Sequence, residues 1–320
     1  MEFRTAIRVN PAEKPIDFNS GVALFGSCFS ENIAKKIAYF QIPHFSNSHG
    51  ILFNPLAIEA AIADCAKKKR YTEEDLICRD GIWLSLNHHS CFSGTNKAEL
   101  LNEINRSVEV GNAFLKRCTH LVITLGSAWV YTYQNKKTVA NCHKIPQKEF
   151  EKTLLSVDEI TDSLIRTALN MRNFNPGMQI IFTLSPVRHL KDGFIENSVS
   201  KAHLLTAIHR VSKSMQTHYF PSYEMMMDDL RDYRFYNADM VHPNQVAIEY
   251  IWEHFRKTWI DPAIYPVLTE VDAIQRSLDH LPFNEDSEEH QVFLKNLSVK
   301  IDQLFGRFPH MVFKKKEASK

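Results

Sequence analysis

The sequence predicts an α/β fold, a three-layer α/β/α sandwich around a mostly parallel central sheet, with a helical appendage at the C-terminus. Three observations carry this. Short apolar runs without polar alternation recur along the chain, "GVALFG" (21–26), "HLVITLGSAWV" (120–130) and "MQIIFTLSPV" (178–187), as expected of strands buried on both faces. Segments with apolar residues at helical spacing separate them. The exits of the runs carry turn formers, "GSCF", "LGSAW" and "LSPVRH", and in such sheets a ligand site forms at the carboxyl ends of the strands.

After the first run, "ENIAKKIAYF" sets Ile33, Ala34, Ile37 and Phe40 on one helical face. "NPLAIEAAIADCAKKK" (54–69) reads as a helix with Asn54 as its cap and Pro55 at its first position. The run 120–130, rich in β-branched residues, is the second strand, and "VDEITDSLIRTALNMRNF" (157–174) is a helix that stops before "NPG". The third strand, 178–187, closes on Ser-Pro, and two further helices follow at 200–219 and 244–260. From 262 the character changes: "LTEVDAIQRSLDHL" and "EEHQVFLKNLSVKIDQLFGRF" read as two helices joined by the polar "PFNEDSE". The chain therefore divides into a domain of residues 1–261 and a helical extension, 262–320, packed on that domain or on a partner such as a second copy in a homodimer. The closing "FKKKEASK" reads as a solvated end.

With 320 residues, 44% hydrophobic and 23% charged, the chain can bury a large core. Lys plus Arg number 38 against 37 for Asp plus Glu, so no broad field points to nucleic acid or to an anionic membrane. The opening "MEFRTAIRVNPAEKP" has no signal-like apolar core, and no stretch approaches the roughly 20 apolar residues of a membrane span. A cytoplasmic protein is expected. The six cysteines, at 28, 65, 78, 91, 118 and 142, include no Cys-x-x-Cys pair, so reduced thiols are the expectation. Neither Gly-x-Gly-x-x-Gly nor Gly-x-x-x-x-Gly-Lys-Ser/Thr is present, which disfavours nucleotide binding by those routes. No cofactor is expected.

Two stretches carry chemistry. In "FGSCFSENIA" (25–34) a hydroxyl, Ser27, and a thiol, Cys28, sit at a strand-to-helix junction, where free N–H groups hold an anion and favour a thiolate. In "NADMVHPNQVAIEY" (237–250) Asp239 and His242 lie three apart in a turn before a helix, the spacing of a carboxylate that orients a histidine base. The bland readings are a cap with a small apolar neighbour for the first and a cap with a surface histidine for the second. Arg188 and His189, in "SPVRH", stand just past a strand; the arginine can grip a carboxylate or phosphate, or form an ordinary ion pair. Cys142 and His143 adjoin in "NCHK", and His88 and His89 in "NHHSCF" precede Cys91. Adjacent side chains in a strand point to opposite faces, which argues against a shared zinc, and no metal is expected. "YEMMMDDL" (223–230) reads as core filling and "LRDYRFY" (230–236) as a partly exposed strand or loop beside the site.

Those two stretches, together with "SHGILFNP", "ITLGSAWVY", "VANCHKIP", "LSPVRHLKDGFIENSVSKAHL" and "YFPSYEMMMDDLRDYRFYNADMVHP", resemble the GSCFA family, bacterial proteins related to the SGNH (GDSL-like) hydrolases, over about residues 20 to 260. The resemblance implies the flavodoxin-like sandwich with the nucleophile block first and Asp-x-x-His last. The related hydrolases open with Gly-Asp-Ser; laid on it without a gap, Gly26-Ser27-Cys28 makes Cys28 the nucleophile, and a shift by one residue makes it Ser27. A thiol is the stronger nucleophile at neutral pH. Gly50 would stand for an oxyanion-donating glycine. Gly126 is kept in the third block, but Ala128 falls where the relatives have a donor asparagine, and loss of such a donor typically costs about 10²–10³ in rate. Asn54, Ser127 or the Trp129 indole would compensate.

The resemblance thus implies an esterase or acyltransferase acting on a small acyl ester, such as an O-acetyl group on a carbohydrate. Two other classes compete: a ligand-binding or regulatory protein on the same fold, and a redox-responsive protein using Cys28 with Cys142 as partner.

Overall fold

The computed structural model describes residues 5–134, 137–280, 282–284 and 286–313. Its elements run β1 (Val22–Gly26), α1 (Cys28–Tyr39), β2 (His44–Ser46), α2 (Pro55–Ala66), β3 (Ile77–Arg79), β4 (Ile82–Leu84), β5 (Ser93–Gly94) and α3 (Lys97–Leu115). Then come β6 (His120–Leu125), β7 (Trp129–Tyr133), β8 (Lys137–Val139), β9 (Phe150–Leu154), α4 (Val157–Phe174), β10 (Gln179–Leu184), α5 (Phe194–Ser214) and β11 (His218–Phe220). A short turn of helix, α6 (Ser222–Glu224), precedes α7 (Gln245–Trp259), α8 (Tyr265–Leu278) and α9 (Glu288–Arg307).

Five strands form one sheet in the order β11-β10-β6-β1-β2, every neighbouring pair parallel. Counting only those strands, the order is the doubly wound 2-1-3-4-5, whose direction reverses between β1 and β6. Successive residues of each strand feed opposite cores. Ala23, Phe25, Leu121 and Ile123 pack with Ile58 of α2, Leu164 of α4 and Ile208 of α5. Val22, Leu24, Val122 and Ile181 pack with Ile37 of α1 and Trp252 and Phe255 of α7. Helices therefore cover both faces, which is the three-layer sandwich and explains why the strands read as unbroken apolar runs.

The run 120–130 is two strands. Gly126 and Ser127 both donate N–H to the Phe53 carbonyl, at 2.8 and 3.0 Å, which ends β6 and sends β7 into a separate antiparallel sheet, β8-β7-β9. A second antiparallel sheet, β3-β4-β5, and helix α3 fill the stretch between α2 and β6. In α3 the stripe Leu100, Ile104, Val108 and Leu115 is buried beneath a polar exterior, and Asn96 caps it by accepting from the N–H of Ala98 and Glu99. The helix expected at 200–219 starts earlier, at Phe194, and ends at Ser214, because His218–Phe220 leaves it to pair with β10 as an edge strand. Asn54 does cap α2, accepting from the Ala57 N–H at 2.8 Å.

Past residue 261, α8 and α9 lie on the chain's own domain: Val271, Ile274, Leu297 and Leu304 join the core of α1 and α7. Tyr39 bonds Asp272 at 2.8 Å, and Gln275 bonds the Tyr39 carbonyl at 3.0 Å. The lysine-rich end from 314 lies outside the described residues. No helix among the described residues is long and apolar enough to cross a membrane.

Candidate active site

The nucleophile candidates stand at the sheet's point of reversal. Gly26 closes β1 with φ +133°, and a Cβ there would lie 2.1 Å from the Thr124 carbonyl oxygen of β6, so only glycine lets the strands approach this closely. Its N–H donates to Asn47 Oδ1 at 2.8 Å, while the Asn47 amide donates to Glu31, tying the strand exit to α1. The helix then begins at once, with Ser27 at its cap and Cys28 in its first turn. Ser27 is fully buried, its Oγ without a partner. Cys28 instead borders a cleft of about 700 Å³.

His242 borders the same cleft, brought from near the other end of the domain. Its turn is built by Asp239, whose Oδ1 accepts the N–H of Val241 at 2.9 Å and of His242 at 3.0 Å. The other carboxylate oxygen takes His242 Nδ1 at 2.7 Å, leaving Nε2 as the outward ring nitrogen. These three bonds, the backbone pair foremost, hold the Asp239 carboxyl down at about 2. Asn244 caps α7 directly behind, accepting from Ala247 at 3.1 Å. Arg188 steadies this segment: its guanidinium lies 4.4 Å from the Tyr236 ring centre and its backbone N–H donates to the Val241 carbonyl at 3.3 Å. It stacks on the Tyr233 and Tyr236 rings and is not among the residues that border the cleft.

Burial raises the Cys28 thiol above its ordinary value, against the pull of Lys201 and of the Cys28 and Phe29 N–H groups. Lys201 had no signal in the sequence. It lies on α5, 2% exposed, and its Nζ donates to the Ser185 carbonyl at 2.8 Å. Burial lowers its pKa to about 7, with the Cys28 charge as the opposing influence. Asn32, one turn beyond Cys28 on α1, also borders the cleft; the i, i+4 relation to Cys28 was the available signal. Gly50 borders the cleft as well, at φ +73°, where a Cβ would meet His89 at 2.5 Å. Its N–H already donates to the Asn47 carbonyl at 2.8 Å.

The remaining candidates gather in a second cleft, of about 410 Å³, beside the β7-β8-β9 sheet: Asn54, Ser127, Trp129, His143 and His189. The segment 50–54 is the wall between the two, since Gly50 and Ile51 face the first and Phe53 and Asn54 the second. Ser127 Oγ accepts the backbone N–H of Trp129 at 3.1 Å, and His143 Nε2 serves the carbonyls of Ser85 and His88 at 2.9 and 3.0 Å. Gly126 lies under His189, whose Nε2 would be 3.1 Å from a Cβ there. Ala128 is fully buried, its N–H on Ser200 Oγ at 2.8 Å, so that position opens on neither cleft. Cys142 borders the second cleft and Cys28 the first, which separates the thiols of the redox reading. His88 is buried, its ring stacked on His49 at 4.3 Å, whereas His89 faces the first cleft. Among the described residues no three His, Cys, Asp or Glu side chains gather as a metal site.

The sequence matches no curated protein. Residues 271–319 match the GSCFA domain protein, C-terminal domain. Residues 21–255, the span holding both clefts, match the GSCFA family. The chain belongs to the GSCFA family.

Proposed function

We propose that this protein is an acyl-transfer enzyme of the SGNH-like kind, an esterase or acyltransferase that acts on a small acyl ester through Cys28, His242 and Asp239. One observation carries the reading: a thiol at a helix start and a histidine already oriented by a carboxylate at 2.7 Å face one cleft at the sheet's point of reversal. Ser27 is the weaker candidate because its hydroxyl is buried.

Because burial keeps Cys28 a thiol at rest, it needs a base. His242 takes the sulfhydryl proton as sulfur attacks the carbonyl carbon, and Asp239 stabilises the imidazolium. The N–H groups of Cys28 and Phe29, which act on the thiol, and the Asn32 amide bordering the cleft would serve the oxyanion, in place of the Gly50 N–H that the turn consumes. The tetrahedral adduct expels the alcohol, which takes its proton from His242, and leaves a thioester. Water or a second hydroxyl then attacks, His242 takes its proton, the carbon–sulfur bond breaks and the thiolate recovers that proton.

Incubation with p-nitrophenyl acetate followed by intact-mass measurement tests this. An acetyl adduct should form on the native protein and on Ser27→Ala, and be absent from Cys28→Ala. An adduct that survives Cys28→Ala would defeat the assignment.

A further inference from the structure

Helix α1 starts without the bond that usually holds a helix start. Ser27 stands at the cap position, yet its side chain takes no N–H of the first turn. A serine in that place normally bonds the N–H of the second or third helical residue. Here the Ser30 N–H goes to the Ser27 carbonyl at 2.8 Å, and the N–H groups of Cys28 and Phe29 act on the thiol instead. Two donors are thereby kept for an oxyanion, and the position of the first turn has to be fixed from outside the helix.

Asn47 is placed to do that. It lies 9% exposed in the turn after β2, at φ +45°, a conformation that asparagine tolerates better than most side chains. All four of its polar groups are engaged. The N–H donates to the Leu24 carbonyl at 2.9 Å and the carbonyl accepts the Gly50 N–H at 2.8 Å, which fixes the turn against β1. Side-chain Oδ1 accepts the N–H of Gly26, two residues before Cys28, at 2.8 Å, and the amide donates to Glu31, three residues after it. The two bonds bracket the thiol-bearing residue. An amide supplies the acceptor and the donor from one carbon, whereas a carboxylate in its place would meet Glu31 with a like charge.

We infer that Asn47, together with Glu31, is the positioning unit for Cys28: it clamps the exit of β1 and the first turn of α1 in one relation, so that the thiol faces the cleft it shares with His242 while the first N–H groups stay free for the substrate. The inference rests on the acyl-transfer reading and adds to it a residue that acts through the backbone on either side of the nucleophile.

The test exchanges the two side-chain groups. Asn47→Asp loses the donor and sets two carboxylates together; combined with Glu31→Gln, the amide returns on the α1 side and donates to the carboxylate. Acetylation of Cys28 by p-nitrophenyl acetate is followed by intact mass over a range of ester concentrations. The saturating rate should fall about ten- to a hundredfold in Asn47→Asp, with the half-saturating concentration nearly unchanged, and return to within about threefold of native in the double variant. A native rate in Asn47→Asp, or a folded double variant no faster than the single one, would overturn the inference. Should Asn47→Asp fail to fold, Glu31→Ala takes its place, with the same slowing expected and a native rate again counting against the clamp. Iodoacetamide separates the two readings, because alkylation of Cys28 needs no acyl chemistry. Alkylation altered in Asn47→Asp and recovered in the double variant, without an acetyl adduct on the native protein, defeats the acyl-transfer reading alone; an adduct that forms equally fast in all three proteins defeats the clamp alone.

Discussion

Lys201 is the residue whose placement costs most and explains most. A lysine 2% exposed, with one backbone carbonyl as its hydrogen-bond partner, is disfavoured as an ammonium by desolvation. Its pKa in the folded chain, about 7, lies below the ordinary 10.5, so between those values the unfolded chain binds more protons and stability rises with pH. Below about 7 both states are protonated and this contribution is flat. Lys201→Met should therefore raise the urea midpoint at pH 7 and flatten the slope above it. Iodoacetamide alkylation of Cys28 should titrate above an ordinary thiol in the native protein, because burial outweighs the neighbouring donors. A native titration below that of a free cysteine would mean that Lys201 and the helix N-terminus outweigh burial.

At the scale of the element, the junction of β1 and α1 depends on one backbone conformation. Gly26→Ala would force a residue with a Cβ to φ +133° and bring that Cβ to 2.1 Å from a backbone oxygen that cannot move without displacing β6. A loss of roughly 3 kcal/mol or more is expected in urea unfolding. Gly177→Ala, where the nearest atom is 3.9 Å away at the end of the Asn175 side chain, should change stability by less than about 0.5 kcal/mol. Equal effects at the two positions would show that the approach of the strands is relaxed. This junction was legible in the sequence because an apolar run, a glycine and a helical period follow one another without a break. Helix α3 was also legible in principle, through Leu100, Ile104, Val108 and Leu115, but polar residues such as Glu103, Asn105 and Arg106 between them dilute the signal. The break at Gly126 was not legible, since both strands it separates are apolar and only the Phe53 carbonyl decides where the first one stops.

For the molecule as a whole, the C-terminal helices are part of the core that supports α1. Leu304 of α9 is 1% exposed and belongs to the same cluster as Ile37 and Trp252. Leu304→Ala should lower stability by roughly 2–4 kcal/mol, and the protein should still unfold in one transition when followed by circular dichroism and tryptophan fluorescence. Two separated transitions would show α8 and α9 to be an independent unit. The clefts are a property of this scale too. Cys28, His242, Trp129 and His189 lie on four different segments, and which of them share a cavity follows from the wall that residues 50–54 build between two strand exits.

The sequence by itself determined the layered α/β class, the strands at 22–26 and 179–184, the cap at Asn54 and the pairing of Asp239 with His242. Each of these rests on local chemistry: continuous apolar runs, a polar cap before a proline, and a three-residue spacing inside one turn. Tertiary structure alone decided that Cys28 faces the cleft while Ser27 is buried, that Lys201 turns inward, and that Arg188 stacks on Tyr236. Exposure, desolvation and partners belong to the rotation of a helix against a sheet, and that rotation is set by packing among residues far apart in the chain.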